Sequence, residues 1–223
     1  MRKLITMLAL VALCVPAGAL GKKPPPTRAQ VLAAKNAAWA CKALRTTMGT
    51  QAFLSTYGAN RKARGAGAMR NAMGKCVSQK VRQIRCAGLF EPATGTLTIT
   101  APTAPSTIES VTFAGTISGG RPIATGTVAG ALSVDLASAT TKHGVTCAPV
   151  TGTFTLTQTS PAGTLVKTLT SATFCRGASG SALVGRYSLT GTGAFAGKTG
   201  TGTEILLAPT TGSAHSVEFG SIG

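Results

Sequence analysis

Thr153-Phe154-Thr155-Leu156-Thr157 places Phe and Leu on one face and threonines on the other. This is the period-two alternation of a strand with one face on a core and one in water. Ser160-Pro161-Ala162-Gly163 follows as a turn, and a second strand runs from Thr164 to Cys175. The same texture continues outward from this hairpin. Thr96-Leu97-Thr98-Ile99-Thr100 alternates, Val111, Phe113 and Ile117 fall along the next run, and Leu183, Gly185, Tyr187 and Leu189 share one face. About eight strands result, near 94–100, 107–118, 122–136, 145–159, 164–175, 182–191, 200–208 and 213–219. Short connections favour a meander, and a meander of that size closes into a barrel, with a two-sheet sandwich as the alternative. If Ser160 to Ala162 form the hairpin loop, facing residues have numbers summing to 322, and Cys147 and Cys175 meet that sum. A Cys147–Cys175 disulfide is therefore predicted, with Pro149 and Gly152 marking a place for a bulge.

The chain ahead of these strands reads differently. Arg2 and Lys3 precede an almost wholly apolar run from Leu4 to Val15, and then come Pro16 and the small-x-small pattern Ala17-Gly18-Ala19. This pattern predicts a signal peptide over residues 1–19, cleaved after Ala19. The apolar run falls short of the roughly 20 residues a bilayer span needs, and no later run is long enough. A lipidated Cys14 is the competing reading, and Leu13 sits where such a site requires a small residue. Residues 20–26, with Pro24-Pro25-Pro26, form an extended lead-in.

Residues 27–88 read as a basic helical module ahead of the β domain at 89–223, so the fold class is α+β. Thr27 and Gln30 have the form of a capping box. A helix follows to about Met48, with Ala38, Trp39, Cys41 and Leu44 on its apolar side and Gly49 as its terminator. Thr50 to Tyr57 forms a second short helix, and Asn60 to Gly67 a basic loop. The third helix carries the stripe Met69, Met73, Cys76, Val77, Val81 and Ile84. Cys76 and Cys86 lie about 15 Å apart on one helix, against the roughly 5.5 Å of bridged Cα atoms. Cys41 and Cys76 both lie on apolar faces and are expected to staple the first helix to the third. Cys86 is left over, free or bonded between molecules.

Charge is divided as sharply as texture. Leu20 to Cys86 holds fourteen Lys and Arg and no acid, whereas Ala87 to Gly223 holds six bases against five acids. Basicity thus belongs to the helical module, and any polyanion partner is expected there. Arg61, Lys62, Arg64, Arg70 and Lys75 are the candidate contacts with an anionic envelope polymer, lipid headgroups or another polyanion. Trp39, Phe53 and Tyr57 look like core, so base stacking is not expected.

The segment Leu189-Thr190-Gly191-Thr192-Gly193-Ala194-Phe195-Ala196-Gly197-Lys198-Thr199-Gly200-Thr201-Gly202-Thr203 resembles the Gly-Thr-Gly-x-Phe-x-Gly turn of allene oxide cyclase and dirigent-like barrels, including secreted bacterial relatives. Segments around Cys41 and Cys76 look like a helical module of secreted actinobacterial proteins. The resemblance implies an eight-stranded barrel and carries no activity, because the catalytic acids and aromatic pocket residues of the plant enzymes have no match. The same segment imitates a dinucleotide fingerprint and the end of a P-loop, but strand rather than helix follows it.

Chemistry is otherwise sparse. His143, His215 and Asp135 offer no Gly-x-Ser-x-Gly elbow for a triad, the acids are scattered through separate strands, and no metal-ligand set is clustered. No cofactor is implied. The expected function is that of a secreted, non-enzymatic extracellular or cell-envelope protein whose helical module contacts an anionic surface. The alternative is a barrel of isomerase type, or one that binds an apolar small molecule, with the helices as accessory.

Overall fold

The computed structural model describes residues 28–58 and 65–223. The expected signal peptide, the Pro-rich lead-in, Thr27 and the segment carrying Arg61, Lys62 and Arg64 lie outside the described residues. Two helices, α1 (Arg28–Tyr57) and α2 (Gly65–Cys86), precede the strands β1 (Leu89–Thr100), β2 (Ile108–Ser118), β3 (Thr125–Asp135), β4 (Thr140–Lys142), β5 (Val145–Thr159), β6 (Ala162–Gly177), β7 (Gly180–Gly193), β8 (Thr199–Pro209) and β9 (Ala214–Ile222). All pairings are antiparallel. β1 pairs with both β2 and β9, and β3 pairs with β5, so eight strands close into a meander barrel while β4 only extends the start of β5. The barrel is therefore the correct alternative, and the sandwich is not.

β1 begins five residues ahead of the strand read from the alternation. Its first half, from Leu89 to Gly95, pairs with β9, and its second half, from Ala93 to Thr100, pairs with β2. Pro92 and Glu91 hide this strand, since proline and an acid are both depleted from sheets. The β5–β6 hairpin turns on Ser160 and Pro161 alone, one residue tighter than expected. β6 then holds an extra residue near Thr170 relative to both neighbours, and this bulge returns Cys147 to a position opposite Cys175. The expected pairing arises through a shorter loop and a bulge whose effects offset each other.

α1 bends where a glycine permits it. Gly49 takes φ +77° between two helical stretches, a conformation that glycine adopts without a Cβ clash. Just ahead of the bend, the Thr47 carbonyl lies 3.7 Å from both sulfurs of the Cys147–Cys175 bridge. α2 begins at Gly65, within the stretch expected to be loop, and its stripe from Met69 to Ile84 is buried or half-buried as its period requires. Cys41 and Cys76 are bonded with their Cα atoms 6.0 Å apart. Around them Phe53, Ala72, Leu44 and Tyr57 form a small core. No cysteine among the described residues is free, Cys86 included, so the free-thiol alternative is corrected.

The helices are not a separate unit beside the barrel. The outward residues Ala182, Val184, Ile205, Leu207, Val217 and Phe219 of β7, β8 and β9 share one core with Ala37, Ala40, Ala43, Val81 and Ile84. Trp39 stacks on His215 with ring centroids 4.4 Å apart, and the Arg121 guanidinium donates to the Ile84 carbonyl at 2.9 Å. Inside the barrel a second core runs through Phe113, Phe154, Leu156, Leu165, Leu183 and Leu206. Phe195 closes one end from the β7–β8 turn, whose Gly191 and Ala194 amides donate to Lys198 and Ala162. The glycine segment is thus a structural turn.

Replacing Cys41 and Cys76 together with serine should lower unfolding stability by about 4 kcal/mol, the effect of opening a loop of this length. A denaturant midpoint unchanged from the parent chain would show that the staple adds nothing to the helix–barrel core.

Candidate functional site

Alternation sends every second residue of each strand into the barrel, and on neighbouring strands it sends charges to one level. Glu91 on β1 faces Glu218 on β9, and Glu218 faces Glu204 on β8. Three carboxyls therefore stand in one row on adjacent strands. Directly opposed like charges destabilise a sheet, so the row requires neutralisation. Lys167, inward between Leu165 and Leu169 on β6, reaches across β7 to supply it. Its Nζ lies 2.5 Å from Glu204 Oε2 and also contacts Glu218 Oε1. Ser216 Oγ donates to Glu204 Oε1 at 2.5 Å, and Glu91 Oε1 accepts the Ile123 amide at 2.8 Å. The Lys167 ammonium also sits over the Phe154 and Tyr187 rings, 4.6 and 5.4 Å from their centroids. Gly202 leaves room for Tyr187, since a Cβ there would lie 2.3 Å from the Tyr187 hydroxyl.

None of Lys167, Glu91, Glu204, Glu218, Ser216 and Tyr187 is more than 2% exposed. Burial raises the Glu91 carboxyl to about 8, against smaller opposing effects of the Ile123 amide, Lys167 and Arg121. Burial also raises Glu218 well above the usual carboxylate range, although Lys167 opposes it. For Lys167 burial acts downward, but Glu204 and Glu218 outweigh it and the amine is raised. Tyr187 is pushed upward by burial and by the carboxyls around it. The interior thus sets Lys167 against Glu204 and Glu218, with Glu91 beside them protonated near neutral pH. Glu218 Oε2, Glu91 Oε2 and the Tyr187 hydroxyl have no hydrogen-bond partner among the described residues. Closed off from solvent, these groups can exchange protons or react only with one another.

Reading the acids as scattered missed this row. The signal was present: Glu91 is in phase with Leu89 and Ala93, Glu204 with Leu206, and Glu218 with Ala214. Tight hairpins then set them level. Glu109 is also buried and pairs with Arg176 Nη2 at 2.8 Å. Asp135 caps the 3-10 turn at residues 136–138 by accepting from the Ala137 amide and the Ser138 hydroxyl. The acids in the sequence are thereby all engaged, and none is fully exposed.

The bases are distributed oppositely. Lys35, Lys42, Arg45, Arg70, Lys75, Arg82 and Arg85 are exposed on the helices, and Arg121, Lys142, Arg186 and Lys198 on the barrel. The near-neutral balance of the β domain is therefore misleading, because its acids point inward and most of its bases outward. Of the sequence-predicted contacts, Arg70 and Lys75 lie on one solvent-facing side of α2 with Asn71, Gly74, Ser78, Gln79 and Arg82, around a shallow recess. Arg82, absent from the expected set, joins it through the spacing 70, 74, 78 and 82 along one helix ridge. Lys80 turns the other way, over the Phe219 ring at 5.0 Å, where burial lowers its amine.

Among the described residues no three or more His, Cys, Asp or Glu side chains are placed to hold a metal ion, and no helix is long and apolar enough to cross a membrane. Comparison with known proteins finds no matching family model, no matching curated protein and no matching solved structure.

Two outcomes test the interior assignment. Glu91 has a folded value of about 8 against an ordinary 4.5. Its stabilising contribution is therefore complete below about pH 4.5 and is lost as pH rises through 8. Urea midpoints should fall across that window, and Glu91→Gln should flatten the slope by an amount on the order of a few kcal/mol. A slope identical in parent and variant would mean that Glu91 is ionised in the fold. Lys167→Met strands two carboxyls in the interior and should destabilise by about 3–5 kcal/mol, read from the same denaturation curves.

Proposed function

We propose that the protein is a secreted, non-enzymatic envelope or extracellular protein that adheres through its cationic exterior to a phosphate-rich anionic surface. The observation that carries this reading is the sorting of charge: acids are buried or capping, while among the described residues most bases stand exposed and only the buried Lys167 and the half-buried Arg176 pair with carboxylates. Surfaces that serve only solubility mix both signs. A one-signed surface raises the local concentration of polyanions and speeds their capture. The α2 face bearing Arg70, Lys75 and Arg82 is the leading contact, and the segment with Arg61, Lys62 and Arg64 precedes that helix in the chain.

Export is supported by the leader-like residues 1–19 and by two disulfides, which persist in oxidising compartments. The likeness of residues 189–203 to allene oxide cyclase and dirigent barrels supplies an architecture and no chemistry. Leu, Phe and Tyr side chains occupy the barrel interior, so this reading assigns the barrel a scaffolding role.

The full mature chain should sediment with vesicles containing anionic phospholipid at low salt and not with zwitterionic vesicles. Each base near such a surface contributes on the order of 1 kcal/mol at most. The triple variant Arg70→Gln, Lys75→Gln, Arg82→Gln should therefore weaken binding by about ten- to a hundredfold. At 1 M salt, where the Debye length is about 3 Å, the parent should be released. Soluble polyphosphate competing as well as vesicles would place the specificity in phosphate rather than in lipid. Equal sedimentation with both vesicle types would remove the proposal.

A further inference from the structure

An amine, a carboxyl and an acid are packed together in the dry barrel interior with the spacing of a reaction rather than of a loose ion pair. Lys167 Nζ touches Glu204 Oε2 at 2.5 Å, which places the nitrogen against one of the two oxygens on the Glu204 carboxyl carbon. On the far side of that carbon, Oε1 accepts from Ser216 Oγ at 2.5 Å. Glu218 contacts the same nitrogen, and its second oxygen has no partner among the described residues. The Phe154 and Tyr187 rings wall the nitrogen, and all four reacting side chains are at most 2% exposed.

We propose that Lys167 and Glu204 condense into an intramolecular isopeptide bond, with Glu218 relaying protons and Ser216 holding the oxyanion. Glu204 Oε2 takes one proton from the ammonium, leaving a neutral amine against a neutral carboxylic acid. The nitrogen lone pair adds to the carboxyl carbon, and negative charge passes to Oε1, where the Ser216 hydroxyl already donates. Glu218 gives its proton to the departing Oε2 hydroxyl and recovers one from the nitrogen. The C–Oε2 bond breaks, and water leaves. An ammonium and a carboxylate enter; a secondary amide and one water result; Glu218 ends as it began, and nothing is oxidised or reduced.

Each element of the environment favours this outcome. Holding the two groups in contact replaces a bimolecular encounter by an effective molarity on the order of 10⁵ M or more. Exclusion of solvent keeps the amide from being hydrolysed. Ser216 distinguishes the two carboxyls: its short bond goes to Glu204, whereas its approach to Glu218 is 3.5 Å. The bond joins β6 to β8 across β7, a tie that neither disulfide makes and that no reductant opens.

Intact mass of the full chain, measured after reduction and denaturation, tests this directly. The expected mass is lighter by one water than that of the same chain counted from its observed N-terminus. Tryptic digestion should then leave Lys167 uncleaved within a branched peptide that contains Glu204. Glu218→Gln preserves side-chain size and removes the relay, so its mass should return to the full value while the β-sheet spectrum is retained. Full mass in the parent together with ordinary tryptic cleavage after Lys167 would overturn the proposal. A branch joining Lys167 to Glu218 would overturn the assignment of acceptor and relay.

Discussion

Everything in the barrel interior is arranged around one ammonium. Without Lys167, Glu91, Glu218 and Glu204 would stand side by side on β1, β9 and β8 in a medium that cannot solvate them. An isolated buried charge is far more unfavourable than the few kcal/mol by which a domain is stable, so the interior is tolerable only as a neutral set. Lys167 stands against Glu204 and Glu218, and burial raises Glu91 and Glu218 above the usual carboxylate range. This requirement also specifies pairing. A one-residue slip of β8 or β9 would turn a glutamate outward and strand Lys167. The cluster acts as a register pin that a uniformly apolar interior could not provide.

The same constraint accounts for the exterior. With acids drawn into the barrel or spent on a cap, the solvent-facing surface is left with bases alone. Net charge summed along the sequence cannot reveal this, because a sum does not distinguish inside from outside. The β domain has nearly as many acids as bases, yet Arg121, Lys142, Arg186 and Lys198 face water while four of the five acids are buried. The cationic character first read from the helices therefore continues around the barrel.

Much of the architecture was legible because it depends on local rules. Thr153 to Thr157 declares its period, Gly49 the end of the first helical stretch, and the stripe from Met69 to Ile84 its buried face; all three reappear in the structure. The boundaries that failed are those set by distant partners. β1 starts at Leu89 because β9 returns to pair with it, a fact remote from residues 89–93. The bulge near Thr170 depends on both neighbouring strands, and nothing in Leu169-Thr170-Ser171 announces it. The interior cluster lay between these cases: each inward phase is visible locally, but the levels of Glu91, Glu218 and Glu204 follow only from barrel closure. Lys167 entered the sequence reading only in the charge count of the β domain, since the strand from Thr164 to Cys175 was recognised without assigning its inward face.

The helices complete the argument from the opposite face. β8 and β9, which carry Glu204 and Glu218 inward, are the strands that bury Ile205, Leu207, Val217 and Phe219 outward against α1 and α2. Such two-sided burial turns Glu204-Ile205-Leu206-Leu207 into a continuous buried run instead of an alternating one. Strands with one wet face open locally more readily than strands covered on both sides. Opening at β8 or β9 would admit water to the buried Lys167, Glu204 and Glu218. The helical cover, closed by the Cys41–Cys76 staple and the Trp39–His215 stack, therefore holds in place the part of the barrel whose interior is least able to tolerate solvent. Helices and charge cluster are two faces of a single requirement.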